Sequence, residues 1–169
     1  PRPSQLNASM CAGAPWPKAA TFSSEEREAF DRDGFVVVRD LITPAIVDVL
    51  VQELRHTCAT WPGPMDPKFE CFRTGTWLRS DVSRDFLYNG PVGETVRNLL
   101  NVEAVRVQED GFFVHTERHG GQPWHTDMDQ YGGVFAEFHR KTRAVAVWIA
   151  LSDIDHERSG GSVYLARGG

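Results

Sequence analysis

The chain has 169 residues, 41% hydrophobic and 24% charged, which is the composition of a globular domain and excludes a disordered or fibrous one. No run of about 18 apolar residues occurs, so no membrane span is expected. The formal net charge of −5 argues against a nucleic-acid partner, because binding phosphates normally needs a basic face.

Residues 1–22 are rich in Pro, Ala and Ser and read as an extended N-terminal arm. They have neither the basic start nor the apolar stretch of a secretory signal. Ser23-Ser24-Glu25-Glu26 has the spacing of a capping box, which predicts a short helix through Phe30 that stops at Gly34. Phe35-Val36-Val37-Val38 is apolar and β-branched and reads as a buried strand. Thr43-Pro44 starts a second helix, with Ile46, Val47, Leu50, Val51 and Leu54 at helical spacing as far as about Thr60. Residues 61–76 carry Pro62, Gly63, Pro64, Pro67 and Gly75 and read as a long loop. Pro91 to Leu100 predicts another helix, with Val92, Val96, Leu99 and Leu100 on its apolar side.

Beyond Asn101 the pattern turns strand-like. Val102 to Val114 alternates, with Val105 and Val107 against Arg106 and Gln108. A polar, Gly-containing stretch from Thr116 to Pro123 follows. Arg143 to Leu151 is apolar on both faces, which predicts a strand covered on both sides. Ser152 to Ser159 reads as a turn, with Asp153, Asp155 and Glu157 solvated, and Gly160 to Ala166 begins one more strand. Helices first and strands after them give an α+β class, mainly β, with helices buttressing a mostly antiparallel sheet. The three cysteines, Cys11, Cys58 and Cys71, are odd in number and lack CxxC spacing. They read as thiols in a reducing, cytoplasmic setting.

The chemistry concentrates in Gln122-Pro123-Trp124-His125-Thr126-Asp127. On a strand, residues i and i+2 share a face, so His125 and Asp127 would present an imidazole and a carboxylate side by side. With a second His from elsewhere these make the two-His-one-carboxylate triad that holds iron(II) and leaves three positions open, two for a bidentate 2-oxo acid and one for dioxygen. His-x-Asp alone is also what a strand-end histidine bonded to a nearby carboxylate looks like. His115 and His119 would form a metal pair only on a helix, which Gly120 and Gly121 disfavour. His139 and His156 lie among charges and read as solvated. Trp124 either walls the site or packs beneath the loop. Phe112 and Phe113 read as core, and Arg118 and Arg143 as solvated or as contacts for an acidic substrate.

Around the motif the chain resembles the phytanoyl-CoA dioxygenase family. The shared features are Pro123-Trp124-His125-Thr126-Asp127, the strand-like Val147-Trp148-Ile149-Ala150-Leu151, the turn Ser159-Gly160-Gly161, and the opening Phe30 to Arg39 before a Pro-started helix. The resemblance covers roughly residues 22–167. It implies a double-stranded β-helix (jelly roll, cupin-like) with buttressing N-terminal helices, of which residues 23–169 would be the N-terminal portion of a single oxygenase domain whose C-terminal strands are missing. It also implies iron(II) and 2-oxoglutarate, a small-molecule substrate hydroxylated with dioxygen at an unactivated carbon, His125 and Asp127 as catalytic metal ligands, and Trp148 against the cosubstrate. Gln108, on the strand before the motif, is a further cosubstrate contact. The family's Pro-Gly-Ser-His is replaced by Ala166-Arg167-Gly168-Gly169, so neither the distal His nor the Arg for 2-oxoglutarate is matched, and the expectation is an inactive fragment. The competing readings are a non-catalytic jelly-roll binding or structural module, and a zinc hydrolase, which would need a general base that the motif does not bring. Substrate choice falls to the loops at 61–76 and 128–142.

Overall fold

Ser23 opens helix α1 (Ser24–Asp33): its hydroxyl accepts the Glu26 amide while the Glu26 carboxylate accepts the Ser23 amide at 2.7 Å, a complete capping box. Gly34, in the left-handed region at φ 82°, ends the helix as expected. In the computed structural model the described residues are 16–61, 71–114, 124–125, 143–155, 157, 163 and 165. They fall into two compact units, the first drawn from residues 1–21 and 38–119 and the second from 22–37 and 120–169.

The first unit holds most of the regular structure. Thr43 caps helix α2 (Pro44–Thr60) through the Ile46 amide, and Pro44 takes the first turn, where its missing N–H costs nothing. The inward face of α2 is Leu50, Glu53, Leu54 and Thr57, so two polar residues share the buried stripe with two leucines. Strand β1 (Cys71–Thr74) leads through a 3-10 turn (Thr76–Leu78) into helix α3 (Asp81–Asn89), which Ser80 caps by accepting the Ser83 amide at 3.0 Å. Gly90 joins α3 to helix α4 (Pro91–Leu100), which Asn101 closes in the left-handed region. Strand β2 (Gly111–Val114) pairs antiparallel with β1, with Cys71 opposite Val114 and Phe72 opposite Phe113. The apolar core is Leu50, Leu54, Cys71, Phe86, Val92, Leu99 and Leu100, all in this unit. The extended arm is tied to α4: the Ala20 amide donates to the Thr95 hydroxyl at 3.0 Å, and Asn98 Nδ2 donates to the Ala20 carbonyl at 2.9 Å.

The second unit contains α1, and none of its described residues is buried. Arg143 donates to the Asp31 carboxylate on α1, with both side chains about half exposed, so this ion pair contributes little.

Several expectations are corrected. Residues 35–38 form no strand, and Val37 is 65% exposed. The strand expected from Val102 is confined to Gly111–Val114. Residues 143–151 carry no ladder, and Val147 and Trp148 are exposed. A β-branched run favours extended backbone, but a strand exists only when a neighbour takes its N–H and C=O groups. Among the described residues that neighbour is present only for β1 and β2, so they show mixed helix and one two-stranded sheet rather than a jelly roll. Within the stretch 61–76 expected to be loop, Cys71–Thr74 instead form β1 and Thr76 begins the 3-10 turn.

The cysteines are corrected as well. Cys58 and Cys71 form a disulfide across a sequence separation of 13, with Cα atoms 5.8 Å apart. The odd third cysteine, Cys11, hid the pair from parity counting. With two of the three thiols paired, cysteine usage no longer argues for a reducing setting.

Candidate metal centre

His125 and Trp124 lie in the second unit and both are exposed, Trp124 at 75%. An accessible imidazole suits a metal ligand, since a ligand needs an open coordination side. Asp127 lies outside the described residues, as do Thr126, His115, His119, His139 and His156. The side-by-side placement of His125 and Asp127 on a strand face, expected from the sequence, therefore rests on spacing alone. Among the described residues no group of three or more His, Cys, Asp or Glu is gathered in a way that could hold a metal ion. The donor set among the described residues is thus one imidazole of the right type.

Trp148 shares the second unit with His125 and is 52% exposed, so its indole is available to a flat or anionic cosubstrate. Gln108 belongs to the first unit and is exposed. It precedes β2 rather than lying on a strand, which corrects the expected context of its cosubstrate contact.

What does position the Gln108 segment is Asp110, which sequence reading passed over. Asp110 accepts the Thr76 hydroxyl and the Trp77 amide, the latter at 3.2 Å, while its own carbonyl accepts the Gly75 amide at 2.9 Å. The turn Gly75–Leu78 is thereby fastened to the start of β2. The sequence signal is Asp110-Gly111, a turn dipeptide at the head of a strand.

A second residue that sequence reading missed is Arg73. It is 8% exposed, and its guanidinium donates to the Phe72 carbonyl at 2.8 Å and to the Trp61 carbonyl at 3.1 Å, while Nε finds no acceptor among the described residues. The inward placement follows from β1's alternation, in which Cys71 and Arg73 share the buried face. No helix of the described residues is long and apolar enough to cross a membrane.

An imidazole and a carboxylate two residues apart, beside an aromatic, are compatible with a non-haem metal oxygenase but do not by themselves define one. The comparison with known families makes the assignment specific. The model of the phytanoyl-CoA dioxygenase family matches residues 30–164, a span that includes Trp124 to Asp127 and Trp148. The chain belongs to that family. Its members are generally oxygenases of the 2-oxoglutarate-dependent type that use iron(II), and the family implies a cupin-like fold. No curated protein matches the chain. No solved structure matches it either.

Proposed function

We propose that this chain carries the first part of the active site of an iron(II)- and 2-oxoglutarate-dependent dioxygenase that hydroxylates an unactivated carbon of a small organic substrate. The observation that carries the reading is the family match over residues 30–164, which spans the whole Trp124–Asp127 motif. In this reading the complete domain is a jelly roll, and residues 143–151 become a strand of it once neighbours take their backbone groups. His125 and Asp127 would hold the metal. Iron held there would activate dioxygen, the oxidant, with 2-oxoglutarate supplying two electrons as it is converted to succinate and carbon dioxide.

The chain's own side chains have simpler tasks. The His125 imidazole must be neutral to ligate, and the Asp127 carboxylate supplies the single negative charge that leaves the remaining positions free. By the family resemblance, Trp148 would lie against the cosubstrate, and Gln108 would be a further contact for it. The segments 61–76 and 128–142 would set substrate choice.

Residues 1–169 alone are expected to be inactive, so the test is to incubate the complete domain with iron(II), 2-oxoglutarate and dioxygen across a panel of small apolar acids, acyl thioesters and amino acids, and to measure succinate. Succinate that rises with one substrate, matched by an added hydroxyl in the product, supports the proposal. Iron-independent product would overturn it.

A further inference from the structure

The end of α2 and β1 are joined two ways: the Cys58–Cys71 disulfide links them covalently, and Arg73 donates to the carbonyl of Trp61 at the C-cap of α2. The Arg79 guanidinium, after the 3-10 turn, lies 5.1 Å from the Trp61 ring centroid. The Cα separation of 5.8 Å lies inside the range that a disulfide spans without moving the backbone. The two sulfurs differ in access: Cys71 is 1% exposed, whereas Cys58, in the last turn of α2, is only half-buried.

We propose that this corner is a site of thiol–disulfide exchange, entered at Cys58, and that the closed bond is a staple whose opening loosens the first unit without unfolding it. The direction follows from access, since Cys58 is the half-buried member of the pair and Cys71 the fully buried one, so a small reductant meets Cys58 first. The environment of the leaving group favours the same direction. Cys71 and Arg73 share the buried face of β1, so a cationic residue lies on the same strand face as the cysteine that must leave as a thiolate, and positive charge in that environment favours a thiolate.

The exchange balances with a dithiol as reductant. One of its thiolates bonds to Cys58 Sγ, and the Cys58–Cys71 bond breaks with its electron pair leaving on Cys71 Sγ, which then takes a proton. The reductant's second thiolate displaces Cys58 Sγ, which also takes a proton, and the reductant departs as a cyclic disulfide. Two electrons and two protons have passed to the protein. Closure is the reverse, with a small disulfide as oxidant. The opened corner keeps the Arg73–Trp61 hydrogen bond and the β1–β2 ladder, so the bond can re-form.

The experiment uses the full chain, oxidised with glutathione disulfide, then denatured and alkylated. Of the three cysteines only Cys11 should label, with Cys58 and Cys71 recovered in one cross-linked peptide. Labelling of all three without reductant would overturn the proposal. Native protein treated with glutathione, a monothiol, should be trapped as a mixed disulfide on Cys58, and trapping on Cys71 would overturn the direction. Full reduction with dithiothreitol should lower the melting temperature by roughly ten degrees, given the short loop closed and the size of the unit. A C58S/C71S double variant should melt at that lower temperature whether or not reductant is present. An unchanged melting temperature on reduction of the wild type would show that the bond is not a staple.

Discussion

The Asp110 carboxylate, at the residue before β2, accepts the backbone amide of Trp77 at 3.2 Å, so a charge in one segment orders the turn of another more than thirty residues away. The same carboxylate takes the Thr76 hydroxyl, and Thr76 is fully buried. Asp110→Ala strands a buried hydroxyl and an amide, and should cost about 2 kcal/mol in chemical denaturation. Asp110→Asn keeps the shape and one acceptor oxygen and should cost less. Equal losses from the two would show that the negative charge, and not the acceptor geometry, is what matters.

Gly90 is the C-cap of α3 and the N-cap of α4. A Cβ there would collide with the carbonyl oxygen of Phe86, a backbone atom that cannot swing away. Gly90→Ala should therefore destabilise by about 1–3 kcal/mol, although alanine is ordinarily the better helix residue. Gly93, inside α4 with only ordinary contacts around the added carbon, is the control, and Gly93→Ala should be neutral or stabilising by about 1 kcal/mol. A neutral Gly90→Ala would mean that α3 and α4 meet at another angle.

The capping box of α1 should be separable from the rest of the fold. Ser23→Ala removes the acceptor for the Glu26 amide and should cost about 1 kcal/mol of helix stability. The Glu25 carboxyl is held below its ordinary value, first by a hydrogen bond from its own backbone amide and then by the Ser23 side chain. A depressed carboxylate stabilises above its unfolded pKa, and that contribution is lost as the pH falls through the folded value. Helicity of α1, followed by amide exchange, should thus weaken on acidification below the usual carboxylate range. Stability that rose on acidification would contradict this.

How much could be read in advance depended on how local each signal is. The capping box at Ser23, the Thr43-Pro44 start and the Pro91 start mark helices from within one turn of sequence, and α1, α2 and α4 lie where those signals put them. Helix α3 was missed because Asp81 to Asn89 is largely polar, with Phe86 and Ser83 its buried contacts. Strand β1 and the Cys58–Cys71 pair were missed because both depend on partners distant in sequence: the ladder to Val114 and a bond across 13 residues. Phe35 to Val38 failed in the opposite sense, since high β-propensity without a hydrogen-bonded neighbour leaves an extended, exposed segment. At the site, the His125–Asp127 spacing is legible because the two ligands are sequence neighbours. A distal ligand has no local signature, so nothing in the sequence could place it.

In the proposed reading the Asp127 carboxylate is a metal ligand, whereas related halogenases have a small residue at that position, which frees it for chloride. Turnover by the complete domain in chloride buffer should then give hydroxylated and no chlorinated product by mass spectrometry. A chlorinated product from the unmodified protein would reverse the assignment.

The most direct measurement is anaerobic equilibrium dialysis of the full chain against iron(II) with 2-oxoglutarate, read by metal analysis, for the wild type, His125→Ala and Thr126→Ala. The account predicts that His125→Ala weakens iron binding by roughly a hundredfold or more, since even the loss of a residue that only supports a ligand costs ten- to a hundredfold. It predicts that Thr126→Ala, a change at the alternate position of the motif, binds as the wild type does. Iron held equally well by wild type and His125→Ala would contradict the placement of the metal at this motif.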